Sequence, residues 1–304
     1  MNSKVLTVIV TYNGIKWLDR GLHSLRTSSI LTDVILIDNG STDGTQDYIK
    51  SEFPEVRLHE AGVNLGFGRA NNIGLTLALE KGYDYVYLLN QDAWVFQDTF
   101  ARLIEAMESK PDYGILSPMQ LTAEKDKMDP RFMRWCPDVA WQQWLASNSE
   151  SAVQQVDSCV HPVEFVMAAH WMISRDCLKK VGGFSPAFVH YGEDDNYIHR
   201  AIYHGFRCGI LSSAGAVHDR EMRPMTKDAS MRLKCVASIV KISNPLNNFF
   251  LRCLIQPLEL LAISLRYRSF KVFKNIFTLI SSYSQLRVFR SRSLSEGAFI
   301  ETNF

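Results

Sequence analysis

Over roughly the first 120 residues, apolar runs of strand length alternate with stretches of helical period, joined by short polar connections. That is the pattern of a mostly parallel sheet flanked by helices, an α/β fold. KVLTVIVTY reads as a buried strand by its β-branched run, and IKWLDRGLHSL sets Trp17, Leu18, Leu22 and Leu25 on one helical stripe. DVILID forms a second strand ending at Asp38; the turn-rich NGSTDGT then leads into a helix around Gln46 to Lys50, with Ser41, Thr42 and Asp43 as candidate caps. VRLHE is a third strand, GRANNIGLTLALEKG a helix closed by Gly82, and YDYVYLLN a fourth strand.

Residues 124–160 carry Trp135, Trp141 and Trp144 but no clear period; these rings either cover a cleft or fill a core. From Val163 the pattern returns. VEFVMAAHWMIS predicts a strand, RDCLKKVGGF a short helix with a Gly-Gly turn, and YGEDDNYIHRAIYHG a helix. In that helix Tyr197, Ile198, Ala201 and Ile202 make the apolar stripe, Gly205 ends it, and Glu193, Asp194 and Asp195 stand at its start.

Polar residues cluster where the apolar runs stop: Tyr12 and Asn13, Asp38, Asn64, and Asn90 to Asp92. In an open α/β sheet, ligands bind beyond the carboxyl ends of the strands, so these tips are expected to share one crevice. Asp92 is the most telling, because it interrupts the run YLLNQDAWVF. An unpaired carboxylate taken out of water costs several kcal/mol, so Asp92 must meet either water or a cation.

Beyond Arg223 the character changes to Phe-, Leu- and Ile-rich segments without an uninterrupted apolar run long enough to cross a bilayer. Net charge is only +1, yet Arg232, Lys234, Lys241, Arg252, Arg266, Arg268, Lys271, Lys274, Arg287, Arg290 and Arg292 face a single acid, Glu259, in one stretch. Amphipathic helices of this kind suit an anionic membrane surface; the alternative is that they pack on the rest of the chain or on a second subunit. The segment is too apolar for a nucleic-acid arm. We divide the chain at 1–225 and 226–304. Six scattered cysteines with no C-x-x-C pair imply reduced thiols rather than zinc or disulfides. The N-terminus lacks a signal-peptide pattern, so a cytoplasmic location is expected, with peripheral attachment at the inner face of the cytoplasmic membrane.

In order along residues 4–220, VTYN, DNGSTDGT, NLGFGRANN, LNQD, GGF, YGEDD and VHD resemble the inverting family 2 glycosyltransferases, a group with the GT-A fold that includes bacterial rhamnosyltransferase-like enzymes. The resemblance implies a Rossmann-like nucleotide-diphospho-sugar transferase domain with a C-terminal helical extension. It implies that Thr11, Tyr12, Asn13 and Asp38 embrace the nucleoside, with Asn64, Gly66 and Arg69 beside it. Asp92 matches the metal-binding end of a D-x-D motif whose first acid is here Asn90, and His218 the later histidine that assists it. The implied cofactor is Mg²⁺ or Mn²⁺. Asp194 matches the catalytic base, and Glu193 stands on the acceptor side. The implied donor is a dTDP- or UDP-linked sugar, rhamnose being the first candidate, and the acceptor a saccharide or lipid-linked glycan in cell-surface polysaccharide biosynthesis.

The residue types suit that chemistry. A divalent ion neutralises the diphosphate as it leaves, and a placed carboxylate takes the acceptor proton. Blander readings stand beside each: acids in a first helical turn also answer the macrodipole, DNGSTDGT is equally a capped turn, and Arg69 and His218 also fit a helix surface and a solvated loop. GFGRAN imitates a dinucleotide fingerprint but opens the third helix instead of the first. A catalytically silent nucleotide-sugar binder and a nucleotidyltransferase remain the other classes; TYNGIKW offers no triphosphate loop for the latter.

Overall fold

In the computed structural model the described residues are 3–148, 159–220, 226–267 and 271–300. The four predicted strands form as β1 (Val5–Thr11), β2 (Asp33–Asp38), β3 (Arg57–Glu60) and β4 (Tyr85–Asn90), joined by α1 (Ile15–Arg26), α2 (Thr45–Glu52) and α3 (Phe67–Lys81). β1 pairs in parallel with β2 on one side and β4 on the other, while β3 continues outward from β2. Strand order therefore reverses between β1 and β4, the topological position at which α/β sheets place a ligand crevice beyond the carboxyl ends. Thr11, Asp38 and Asn90 are the last residues of β1, β2 and β4.

The chain continues through β5 (Ala93–Val95), α4 (Thr99–Ser109), β6 (Tyr113–Leu121), a 3-10 turn at Phe132–Arg134, α5 (Asp138–Ser147), β7 (Val160–Pro162), β8 (His170–Ser174), α6 (Arg175–Val181), α7 (Glu193–Tyr203) and β9 (Arg207–His218). The strands order as β3-β2-β1-β4-β8-β6-β9-β5, with β7 also on β9. The parallel character is confined to β3-β2-β1-β4 and to the β6–β9 pair. β8 runs antiparallel to both β4 and β6, and β5 and β7 run antiparallel to β9.

Both faces of the sheet are covered, which is why its central strands read as continuous apolar runs. Leu6 and Val8 of β1 pack with Ala70 and Leu75 of α3, Leu178 of α6 and Tyr197 of α7. Val5 and Ile9, on the opposite face, meet Leu18 and Leu22 of α1 and Phe100 and Leu103 of α4. The stripe expected on α7 holds for Tyr197, Ile198 and Ala201, but Ile202 lies outside it, 37% exposed. The strand expected across residues 163–174 shortens to His170–Ser174. Pro162 ends β7 before it, and residues 163–169 form a connection whose Val166 carbonyl accepts from Trp171 Nε1. The tryptophans divide as well: Trp144 is buried over Gly215, while Trp135 stands 44% exposed against Phe165.

The tail comprises α8 (Lys227–Ser243), α9 (Phe249–Tyr267), α10 (Lys271–Ser281) and α11 (Tyr283–Arg292). Met231, Ile242, Leu260, Leu279 and Leu286 form their shared core. The expected division at 225/226 adjoins residues 221–225, which lie outside the described ones. Beyond α11 the chain returns to the sheet domain: Gly183 donates to the Ala298 carbonyl at 2.8 Å, and the buried Arg200 guanidinium lies 4.8 Å from the Phe299 ring. All six cysteines are free.

Candidate active site

The ends of β1 and β2 are organised by backbone and side-chain donors that meet side-chain oxygens. Gln91 Oε1 accepts from both Thr11 Oγ1 and the Tyr12 amide, each at 2.9 Å. Asn13, held at φ +50°, accepts from the Thr42 amide, and its own amide donates to Ser41 Oγ. Asp38 is wholly buried. Its Oδ2 accepts from the Gly40 and Ser41 amides and from Gln46 Nε2, whereas its Oδ1 has no partner. Buried polar atoms are almost always paired, so this wholly buried oxygen at the end of β2 is an exception. The expected caps resolve to Asp43, whose Oδ1 accepts from the Thr45 amide, while Gly44 occupies the cap position.

Asn64 shapes the next loop by accepting from the Gly66 amide at 2.9 Å. Gly66 has φ +79°, and a Cβ there would stand 2.5 Å from the Val189 carbonyl oxygen, so no side chain fits between this loop and residues 185–192. Arg69 is exposed and opens on a separate cavity with His59, Glu60 and Arg292; the structure does not bring it to the crevice that Asn90 enters.

Asp92 and His218 meet through the antiparallel β5–β9 pair. Ala93 lies opposite His218, and the Asp219 amide donates to the Asp92 carbonyl at 2.8 Å. This register leaves His218 Nε2 3.3 Å from Asp92 Oδ1 and 3.4 Å from Asn90 Nδ2. His218 is buried at 2% exposure, not a solvated loop residue. Burial alone would raise the Asp92 carboxyl; the His218 contact and the charge of Arg220 outweigh it and hold Asp92 below its ordinary value, as an anion. Behind them His170 is fully buried and pushed down to about 3, chiefly by burial and next by His218. Its Nε2 faces the Val217 carbonyl at 3.0 Å, so the proton sits there, and Nδ1 accepts from Tyr87 Oη at 2.9 Å.

A divalent ion fits this pair. Asp92 supplies an anionic oxygen and His218 a nitrogen, and no larger His, Cys, Asp or Glu group is gathered among the described residues. An octahedral ion with one or two protein ligands completes its shell with phosphate oxygens and water.

The acids of α7 form the other wall. Asn90 lines a cavity of about 860 Å³ together with Glu193, Asp194, Asp195 and Arg220, so the link from the Asp92–His218 pair to that space runs through the Asn90 side chain, 3.4 Å from His218 Nε2. Gly192, at φ +83°, turns the chain into α7, and a Cβ there would press on Val236 and Val240 of α8 at 2.8 Å. The helix N-terminus favours anions, but burial and mutual repulsion win. Glu193 is raised to about 7 by burial and then by Asp194; Asp195 is likewise raised to about 7. Asp194 is raised by burial, against hydrogen bonds from the Asp195 and Ala168 amides, and is reached by solvent only in part.

The remaining walls were not assigned from the sequence. Arg131, Arg134 and Trp135 flank the cavity beside Phe165, and Leu233, Val236 and Val240 of α8 close it. Arg220 Nε bonds Asp129 Oδ2 at 2.6 Å, and Asp129 Oδ1 receives the amides of Arg131 and Phe132, so the 3-10 turn is tied to the end of β9. RFMRW, cationic and aromatic residues interleaved, and a histidine inside the apolar HWMIS were the available signals.

Residues 7–182 match the family described as Glycosyl transferase family 2. An N-acetylglucosaminyl-diphospho-decaprenol L-rhamnosyltransferase of Mycobacterium tuberculosis is 28% identical over 242 residues, 72% of this chain and 77% of the relative. A dTDP-rhamnosyl transferase RfbF of Shigella flexneri is 28% identical over 43% of each chain. Among solved structures, S. aureus TarS 1-349 in complex with UDP-GlcNAc superposes with a TM-score of 0.57 at 15% identity, over 93% of this chain and 81% of that one. The chain spans 41% of a longer TarS structure and 50% of GalNAc-T7, which was solved with UDP, GalNAc and Mn²⁺ at a TM-score of 0.55 and 15% identity, over 80% of this chain. With more than half of its length matched, and with the GT-A architecture expected from its motifs, this chain belongs to glycosyl transferase family 2.

Proposed function

We propose that the protein transfers a sugar, with inversion, from a nucleotide-diphosphate donor to a lipid-linked glycan in cell-surface polysaccharide assembly. Asp38, through its unpartnered Oδ1, takes a donor group of the nucleoside, and Thr11 to Asn13, Asn64 and Gly66 frame it. Asp92 and His218 hold Mg²⁺ or Mn²⁺, which when bound neutralises charge developing on the diphosphate. The acceptor hydroxyl attacks the anomeric carbon as the bond to the diphosphate oxygen breaks. The electron pair leaves with the diphosphate, and the hydroxyl proton passes to Asp194. Attack opposite the leaving group inverts the centre in one displacement. A carboxyl raised by burial above the ordinary aspartate range is a stronger base than an exposed aspartate. Glu193 and Asp195 beside it face the acceptor.

One observation carries the reading: Asn90 touches His218 and lines the cavity that Asp194 enters. Rhamnose is the first donor sugar to test because two relatives carry it in their names, and the nucleotide is dTDP or UDP. The apolar α8 wall and Arg131 and Arg134 support a lipid-linked, phosphate-bearing acceptor, and with it a peripheral position at the inner face of the cytoplasmic membrane. A panel of nucleotide sugars screened by thermal shift with and without Mn²⁺ tests the donor site: a ligand at ~100 times its dissociation constant adds about 2.7 kcal/mol. Asp194→Asn is expected to keep that shift and lose turnover. Binding without turnover in the wild type would instead favour a silent sugar-nucleotide binder.

A further inference from the structure

Soluble proteins rarely leave a row of large apolar side chains in water along one helix, because each such residue forgoes the gain of burial. α9 does so: Phe250, Leu254, Leu258 and Leu265 are 65, 70, 66 and 70% exposed. Their spacing puts them on one stripe, opposite Cys253, Leu260 and Ile263, which pack into the tail core. α10 repeats the arrangement, with Phe277 at 74% and Ile280 at 49% exposed while Ile276 and Leu279 face inward. No helix among the described residues is long and apolar enough to span a bilayer.

We propose that the outer faces of α9 and α10 dock on an anionic lipid membrane, lying in its interface. The charge of the tail selects this occupant. Residues 232–292 carry eleven basic side chains and one acid, Glu259, and that acid is already bound to Lys241 at 2.7 Å. A symmetric contact between two copies would press the same cationic patch against itself, whereas anionic headgroups supply the missing charge. Arg232 of α8, Lys274 of α10 and Arg287 of α11 are exposed, and the Arg287 guanidinium lies 5.7 Å from the Phe250 ring of α9, beside the apolar stripe. The consequence for the site follows from α8. It packs on α9 and α10, and Leu233, Val236 and Val240 on it wall the cavity of Asp194. Docking would hold that cavity at the leaflet from which a lipid-linked acceptor rises. The inference deepens the proposed function and rests on it only for that last step.

Flotation of the full chain with phosphatidylglycerol-rich and with pure phosphatidylcholine vesicles, without donor or acceptor, tests the surface. Wild type is expected to float with the anionic vesicles, less so at high salt, and to stay behind with the neutral ones. Leu254→Glu with Leu258→Glu removes no core contact and is expected to lower vesicle binding by roughly tenfold or more at an unchanged melting temperature. Lys274→Glu with Arg287→Glu, which spares the apolar stripe, is expected to act in the same direction through charge. Wild type that fails to float, or Leu254/Leu258 variants that float equally well, would overturn the proposal. So would a wild-type dimer that the same pair of substitutions converts to monomer, since the stripe would then belong to a second copy. A chain that floats through these residues yet turns over no nucleotide sugar would remove the proposed function and leave the docking surface in place.

Discussion

Glu193→Gln should stabilise the protein at neutral pH and not at pH 4. The side chain is 8% exposed, stands next to Asp194 in the first turn of α7, and has a carboxyl raised from 4.5 to about 7 by burial and then by Asp194. The sign is fixed by which state holds the proton. Below pH 4.5 folded and unfolded chains are both protonated at Glu193, and the group contributes nothing. Between 4.5 and about 7 the folded chain keeps a proton that the unfolded one has released, so wild-type stability falls as pH rises; above 7 the whole cost is present. At 1.36 kcal/mol per tenfold change in proton affinity, a displacement of this size corresponds to about 3 kcal/mol, and about 1 to 3 kcal/mol is expected once the site relaxes around the charge. Glutamine also relieves Asp194 and Asp195 of one repulsive neighbour, which acts in the same direction.

Urea unfolding of wild type and variant at pH 4 and pH 8 measures this directly. Any constant effect of the amide, such as a poorer hydrogen bond at the position where Glu193 Oε2 has no partner, cancels in the comparison between the two pH values. A stability difference that stays flat across that range would refute the argument that Glu193 is held protonated by its surroundings. A growing difference would mean that this wall of acids is maintained at a cost in stability, as expected where carboxylates are gathered for proton transfer.

Other outcomes follow from single contacts. Gly66→Ala, at φ +79° and 2.5 Å from the Val189 carbonyl, should cost about 1 to 3 kcal/mol in a thermal or urea melt and weaken nucleotide binding, because two site loops are forced apart. Tyr87→Phe strips the buried His170 Nδ1 of its donor and should cost about 1 to 3 kcal/mol by urea denaturation. Asp92→Asn should abolish the Mn²⁺-dependent part of any nucleotide-sugar thermal shift while keeping the fold; an undiminished Mn²⁺ effect would move the ion elsewhere. Asp194→Asn should lower kcat by about 10² to 10⁴ with donor affinity retained, and normal turnover would strike it from the role of base. The wild-type rate should fall as pH drops below the raised range of the Asp194 carboxyl, because only the anion accepts a proton.

β1, β2 and β4 were legible because they are largely buried on both faces, leaving apolar runs with polar ends: Thr11, Asp38 and Asn90 terminate strands as their sequence positions suggested. The antiparallel second half was not legible in the same way. His170–Ser174 is short, and the apolar residues before it serve the cavity wall and not the sheet, so composition alone overextends the strand. Ile202 kept helical period but faces outward, since period fixes a stripe's direction only to within its edges.

The site was half legible for a related reason. Motif spacing points to Asp92 and His218 one at a time, but their meeting depends on the β5–β9 register, which sets Ala93 opposite His218 across more than a hundred residues of chain. Nothing local in VHD encodes that partner. The same holds for α8: its residues look like any amphipathic stretch, and only the absence of a side chain at Gly192, where a Cβ would strike Val236 and Val240, lets the tail come close enough to wall the cavity. Gly192→Ala therefore asks whether the tail is part of the catalytic unit. At φ +83° the substitution strains the entry to α7 and pushes α8 away together, so it should lower stability and loosen the acceptor side more than the donor side. A variant whose turnover on the lipid-linked acceptor falls no further than its donor binding would separate the tail from the chemistry.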